Sequence, residues 1–387
     1  MRVLVLDANQ RSALAATRAL ARSGAEVITA DSTEKTLAGA SRFSTSQLTY
    51  PCPYKSPDDF CATLPGLTRG AAADVLLPMT EVSTYLVARH RQDYSGLAVP
   101  VAEFSAFEEL SDKGKLFESA ARLDIPIPRT YHVSDPADAA AYAQEIGYPV
   151  VLKPYRSRIL ADGRWLTTSV RIAEDRKSLT SLLLEEDAFS RHPFLVQEHV
   201  DGVGQGIFTL YDAGQPLAFF AHRRLRERPP WGGVSVLSES VPIDDRMREI
   251  AQQLLGTVRW DGPAMVEFKV ARDGTPFLME INPRFWGSLQ LAVDAGIDFP
   301  TIACRRAMNQ SVDPVSSYRQ GQRLRWLLGD LDHLYLLLRY GDTSLAQKAG
   351  AICAFLNPGF RHVRYEVNRW GDMRPFWHEL REYFKFG

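Results

Sequence analysis

The stretch Trp260–Ser288, WDGPAMVEFKVARDGTPFLMEINPRFWGS, decides how the rest of the chain is read. Ala264–Val270 has the make-up of a buried strand, with apolar residues around one acid. Arg272-Asp273-Gly274 is a hairpin turn signal, and Pro276–Ile281 is the return strand. Glu267 and Glu280 are therefore expected on two paired antiparallel strands. Asn282 lies two residues beyond Glu280, so the two-residue period of a strand lets all three point to one face. Two carboxylates and an amide oxygen make a hard-oxygen set. Such a set suits Mg²⁺ or Mn²⁺ that keeps its other positions for water and phosphate. Arg284 follows as a fixed positive fork for a phosphate or a developing oxyanion. The competing reading is an ordinary hairpin with both acids in solvent. It fits poorly, because the acids interrupt apolar strands and an unpaired buried carboxylate is costly.

Glu267, then Glu280-Ile-Asn282-Pro-Arg284 after a hairpin, resembles the metal- and phosphate-binding signature of the ATP-grasp superfamily. Among its members the chain is most similar to carbamoyl-phosphate-synthase-like carboxylate–amine ligases. The resemblance covers roughly residues 1–305. It implies an N-terminal Rossmann-like parallel α/β domain, a two-lobed α+β ATP-grasp fold and, beyond the resemblance, a helical C-terminal extension. The expected boundaries are 1–110, 111–193, 194–310 and 311–387.

Bulk composition is compatible with this. The chain has 387 residues, 45% of them hydrophobic, which suits two or three globular domains. A formal net charge of −1 gives no global electrostatic case for nucleic acid. Cys52, Cys61, Cys304 and Cys353 are scattered, with no CxxC or Cys/His cluster. That spacing argues against zinc and a disulfide framework and fits a reducing, cytoplasmic setting. Met1-Arg2 leads directly into a strand without a signal-peptide pattern, and no apolar run reaches membrane-span length.

In chain order, Val3–Leu6, Ser12–Ser23 and Glu26–Ala30 form a βαβ opening that predicts a parallel, doubly wound sheet. The first turn, Asp-Ala-Asn-Gln-Arg-Ser, lacks the glycines that let a backbone approach a pyrophosphate, which argues against a dinucleotide site there. Ser41–Pro57 is a polar, proline-rich passage, and Asp74–Pro78 is a further strand. Thr80 and Glu81 beyond its end either face substrate, or Thr80 or Ser83 caps a helix.

Ser111 or Asp112 caps the next helix. Asp-Lys, a helix and Ile-Pro-x-Pro resemble the entry to the first nucleotide lobe, which implies a phosphate contact for Lys113. Tyr148–Pro154 (YPVVLKP) is an apolar strand carrying Lys153, and it looks like the family's second phosphate lysine. Tyr155–Thr168 stands where a phosphate-covering loop is expected, but it has one glycine and three arginines. Arg156, Arg158 and Arg164 serve an acidic substrate or sit in water.

Phe194–Val200 (FLVQEHV) resembles the interlobe hinge that reads adenine, which implies that role for Gln197, Glu198, His199 and Val200. The position that holds the ribose carboxylate in many members is Gly204 here, leaving Glu198, Asp201 or Gln205 for that contact. The basic run His222–Arg228 suits neutralisation of polyphosphate or carboxylate, with Arg224 and Arg226 alternating on one face. Ile243–Leu255 and Gly287–Ala295 are helix patterns, and Leu324–Tyr340 is an apolar helix pattern. The tail carries Trp370, Phe376, Trp377, Tyr383, Phe384 and Phe386, which either pack on the body or dock on a membrane or lipid-linked substrate.

The resemblance implies an ADP-forming ligase that joins a small-molecule carboxylate to an amine through an acyl phosphate, using ATP and Mg²⁺ (or Mn²⁺). Arg284, Arg224 and Arg226 would neutralise charge in the reaction. A homodimer is compatible with it; a nucleic-acid partner is not expected. A bicarbonate-using carboxylase or carbamoyl-phosphate-type enzyme, and a non-catalytic ATP-binding regulatory protein, are the alternatives. The chain lacks the Met-Lys-Met biotinyl motif and a second synthetase half, which counts against the first.

Overall fold

The computed structural model describes residues 1–161, 163–230, 232–340, 344–357 and 363–385. Asp162 of the 155–168 segment, Trp231 and Phe386 lie outside the described residues.

The N-terminal domain is an all-parallel sheet in the spatial order Ser46–Thr49, Glu26–Asp31, Arg2–Val5, Val75–Leu77. Alternate residues of its central strand enter two different cores. Val3 and Val5 join the core shared with the second lobe, and Leu4 and Leu6 join the core under helices Pro57–Gly70 and Glu81–Arg89. That two-sided burial explains the continuous apolar run. The strand Ser46–Thr49 falls within the polar, proline-rich passage 41–57, for which no strand was predicted. Its residues SQLT are mostly exposed at the sheet edge, so it carries no apolar alternation to read. In the first turn, Asp7 adopts a left-handed φ of 56°. Its carboxylate accepts N–H from Met79 at 2.9 Å and Thr80 at 2.8 Å. An internal carboxylate thus fills the turn where a dinucleotide fold would place glycines. Thr80 is the cap of the helix Glu81–Arg89, in a reciprocal pair with Ser83.

The first lobe is an antiparallel sheet ordered Thr130–Val133, Phe194–Glu198, Val150–Pro154, Arg171–Ala173. The second lobe is a seven-stranded sheet ordered Pro276–Asn282, Gly262–Ala271, Gly202–Asp212, Gln215–Arg228, Val234–Ser240, Arg323–Arg325, Val363–Tyr365. Its last two strands come from beyond residue 310, so the expected boundary at 310/311 cuts through one sheet. The apolar pattern Leu324–Tyr340 is likewise divided. Arg323–Arg325 is a strand pairing with Leu237, Ser238 and Glu239, and the helix spans Leu327–Tyr340. Three residues are too short a run for a period of two to be separated from a helical one.

The tail packs on the body through polar groups. Arg18, with 0% exposure, donates to Asp372 Oδ2 at 2.7 Å and to the Glu366 and Val367 carbonyls at 2.8 Å each. Ser41 Oγ donates to the same Asp372 oxygen at 2.7 Å. Phe376 packs against the main core, whereas Trp370, Trp377 and Phe384 are exposed. No described helix is long and apolar enough to cross a membrane.

Candidate active site

The hairpin brings its two acids together as the two-residue period requires. Glu267 and Glu280 are direct cross-strand partners, and a bulge follows between Glu267 and Phe268. Asn282 Nδ2 donates to Glu267 Oε1 and to Glu280 Oε1, at 3.1 Å each. Arg284 Nη2 donates in turn to Asn282 Oδ1 at 3.1 Å. Charges from three other elements converge on this pair. Lys113, at the start of the helix Lys113–Arg122, lies 3.0 Å from Glu280 Oε2. Asp112 caps that helix, accepting from the Gly114 and Lys115 amides at 3.0 and 3.2 Å, and so fixes where Lys113 departs. Arg224 Nη2 reaches Glu267 Oε2 at 2.8 Å, while Arg224 Nη1 reaches Glu227 at 3.1 Å.

Lys153 is different from these cations. It is buried, and its ammonium has the Met279 sulfur at 3.5 Å as its hydrogen-bond partner. Burial pulls its pKa down to about 8 against the pull of Glu280. Lys113 pays the same burial penalty, but adjacent Glu280 outweighs it and holds its pKa above the ordinary value. The two glutamates also diverge. The Lys113 charge pulls Glu280 down to about 2, whereas burial pushes Glu267 up, aided by the neighbouring Glu280. The two facing carboxylates therefore differ in surroundings: the Lys113 charge favours the ionised form of Glu280, and burial disfavours that of Glu267.

Glu267, Glu280, Lys113, Lys153 and Arg224 line one cavity of about 570 Å³ between the lobes, together with Gln197, Glu198, His199 and Val200 of the interlobe segment, whereas Asn282 and Arg284 stand outside its lining. The Gln197 side chain is buried and donates to Thr130 Oγ1 at 2.8 Å. Of the three candidates for a ribose contact, Glu198 lines the cavity, whereas Asp201 is exposed and paired with Arg272 at 2.7 Å. Val151, Val170 and Ile172 supply an apolar wall.

Two expectations need correction. Arg224 and Arg226 do not share a face. The strand is irregular on both sides of Arg226, which turns that side chain onto buried Asp330 at 3.0 Å and away from the cavity. The segment Tyr155–Thr168 forms a hairpin, Arg158–Ala161 with Arg164–Thr167, and none of its described residues lines the cavity. Trp165 anchors it on the N-terminal domain, donating to the Pro53 carbonyl at 2.9 Å and meeting the Tyr85 ring edge at 5.5 Å. Arg156 bridges Glu108 at 3.0 Å and Asp112 at 3.2 Å. Arg158 lines a separate cavity of about 260 Å³ that also contains Glu81.

Sequence reasoning missed Lys269, which lines the cavity and donates to the Val200 carbonyl at 2.7 Å. Its place two residues after Glu267 was a usable signal, since the strand period puts both on one face. It missed Glu227 as well, because the bulge at Arg226 resets the alternation there.

Comparison with known proteins bears on the fold that carries this site. Residues 190–329 match the family described as ATP-grasp in the biosynthetic pathway with Ter operon. The carbamoyl phosphate synthase large chain of Thermotoga sp. (strain RQ2) is 23% identical over 339 residues, covering 82% of this chain and 29% of that relative. The chain thus spans less than a third of the length of the curated relatives it matches. Among solved structures, N5-carboxyaminoimidazole synthetase from Staphylococcus aureus superposes with a TM-score of 0.67 at 15% identity, covering 87% of this chain and 84% of that one. The biotin carboxylase domain of Hydrogenobacter thermophilus 2-oxoglutarate carboxylase, solved with MgADP, ADP and bicarbonate, gives a TM-score of 0.64 at 15% identity over 83% of this chain and 73% of that one. Residues 190–329 thus match an ATP-grasp family, and the curated relatives that the chain resembles include carbamoyl phosphate synthase large chains.

Proposed function

We propose that this protein is an ATP-dependent carboxylate–amine ligase that forms an amide through an acyl phosphate, releasing ADP and phosphate. The observation that carries the reading is the meeting of Glu267 and Glu280 with Lys113, Lys153 and Arg224 in one interlobe cavity. That many cations around a facing carboxylate pair suit a polyphosphate and its counter-ion better than any folding need.

The donor set fits a divalent cation. Glu267 and Glu280 face one another across the hairpin with the electropositive Asn282 N–H group between them. Glu267 and Glu280 would hold Mg²⁺, joined by Asn282 once its amide turns its oxygen, now on Arg284, toward them, and the ion would supply charge neutralisation to the phosphates when bound. The chain's own groups do the rest. Lys113 and Lys153 bind phosphate oxygens, and Gln197–Val200 present polar backbone to the base. A substrate carboxylate oxygen attacks the γ-phosphorus, and the bond to the ADP oxygen breaks. The amine then attacks the acyl carbon, phosphate leaves, and the amine loses a proton to water. Arg224 and Arg284 neutralise the charge that builds on the phosphate and on the tetrahedral oxygen. The work is positioning and charge stabilisation rather than covalent catalysis.

The test is release of ADP and phosphate from MgATP against pools of carboxylic acids and amines, with bicarbonate as a separate arm. Release that needs one acid and one amine supports the ligase. AMP formation would exclude an acyl phosphate, and dependence on bicarbonate would move the protein to the carboxylase reading.

A further inference from the structure

The helix Leu345–Leu356, LAQKAGAICAFL, lies beyond the residues 190–329 that match the family, and it carries its apolar side outward. None of its residues is buried. Lys348, Ala351 and Phe355 are half-buried and form the row that leans on the body. Arg325 holds that row, stacking on the Phe355 ring at 4.4 Å and donating to the Phe355 carbonyl at 2.8 Å. The opposite row, Leu345, Ala349, Ile352 and Leu356, is exposed, with Leu345 at 86% and Leu356 at 67%. Its steps of four, three and four residues are those of a seam between packed helices. A helix of a globular protein ordinarily turns such a row toward the core. The adjoining helix Leu327–Tyr340 shows the same feature: Leu331 and Tyr335, one turn apart, are exposed, the second at 55%, with Arg339 at the rim one turn further.

The chemistry of the row narrows what covers it. A helix built for a lipid surface sets a strongly charged face against its apolar one. This helix has a single charge, Lys348, and it stands on the row turned to the body. A protein surface is the better match, and the row is complementary to itself. Two antiparallel copies centred between Gly350 and Ala351 set Ala349 against Ile352 and Leu345 against Leu356, and two-fold symmetry makes each contact twice. Small meets large at the middle of the seam, and the seam itself holds no charge. With Leu331 and Tyr335, the two helices expose on the order of 700 Å² of apolar surface, above the largest patch of an ordinary monomer and near the ~800 Å² that each partner brings to a stable interface.

We propose that this helical hairpin is a homodimer interface, in which the row Leu345, Ala349, Ile352 and Leu356 packs antiparallel on the same row of a second copy of this chain. The inference stands on the exposed rows and is independent of the ligase reading.

Sedimentation equilibrium of the full chain across about 1–100 µM tests it. A reversible monomer–dimer equilibrium is expected. Ile352→Glu and Leu345→Glu should each raise the dimer Kd at least about 100-fold, because each leaves an unpaired charge in an apolar seam. Leu184→Glu, at a 79% exposed position of the first lobe, should leave the Kd unchanged. An unfolding midpoint that matches the wild type at the lowest concentration shows that each variant is folded. Alkylation of Cys353, exposed beside Ile352, should slow at concentrations where the dimer forms. A monomer throughout the range would overturn the proposal, as would a dimer that both glutamate variants leave intact or a Cys353 alkylation rate that ignores concentration. Cosedimentation with phosphatidylcholine vesicles that the wild type shows and Ile352→Glu loses would also overturn it, and would give the row to a membrane surface instead.

Discussion

Two regions of this molecule bury charge, and they do so in opposite ways. At the seam between the N-terminal domain and the tail, Arg18 and Asp372 are sequestered, and their bonding groups are met by each other, by Ser41 and by backbone carbonyls. In the interlobe cleft, Glu267, Glu280, Lys113, Lys153 and Arg224 crowd one cavity with their charges only partly balanced. Lys153 has a sulfur where an oxygen would serve it, and Glu267 is pushed up beside a second carboxylate. A buried pair that satisfies itself holds the fold. In the cleft the pairs Lys113–Glu280 and Arg224–Glu267 leave Lys153 with only a sulfur for a partner, and under the proposed function a phosphate oxygen would take that place.

The sharpest way to break that contrast is at the seam. Asp372→Ala leaves Arg18 buried and unpaired, which should cost about 3–5 kcal/mol of stability by denaturant titration. Nucleotide affinity of the protein that remains folded should not change. A loss below about 1 kcal/mol would show that solvent reaches Arg18, and the seam would no longer contrast with the cleft. In the cleft the expectation reverses. Glu280→Gln should reduce Mg²⁺-dependent ADP release by roughly 10²–10³-fold with little change in the unfolding midpoint, the scale seen when one preorganised electrostatic group is removed. Near-normal turnover would remove Glu280 from the metal set.

The two arginines on one strand sharpen the comparison within a few residues. Arg226→Ala should act like the seam, destabilising the fold because buried Asp330 loses one of its two guanidinium partners and keeps only Arg325, with turnover per folded molecule preserved. Arg224→Ala should act like the cleft, cutting turnover. Identical behaviour of the two would mean that the bulge does not separate their roles. A smaller effect is expected from Lys153→Ala, which should weaken ATP binding by about 10–100-fold, the worth of a charge-assisted hydrogen bond. The smallest is a pH effect. With its pKa pulled down to about 8, Lys153 loses its proton as pH rises through that value, so ATP affinity should fall between pH 7 and 9. In Lys153→Arg the guanidinium stays charged, and the fall should disappear.

Much of the cleft was legible because its key residues are local. Glu267, Glu280, Asn282 and Arg284 lie within eighteen positions of one another, on a hairpin whose turn signal and two-residue period determine which side chains meet. Lys153 was readable as the one cation in an apolar strand, and Gln197–Val200 as the exit of another. Composition gave no global electrostatic case for nucleic acid, and the glycine-free first turn spoke against a dinucleotide site; the structure adds that Asp7 occupies that turn itself.

What the tertiary structure decided was long-range or irregular. A bulge of one residue separated Arg224 from Arg226, and no alternation rule predicts where a bulge falls. The hairpin in 155–168 lies against the N-terminal domain because Trp165 finds the Pro53 carbonyl and the Tyr85 ring, a partnership spanning 112 positions in the first case. Arg323–Arg325 became a strand because the edge of the second-lobe sheet was open to it, although its apolar run continues into a helix. Arg18 meets Asp372 across 354 positions, and Arg11 reaches Trp326 and Glu366 across comparable gaps. Local periodicity carries information about neighbours in sequence. The closing of a domain by its own distant tail depends on which surfaces remain uncovered once every local element has formed, and that is known only when the chain is folded.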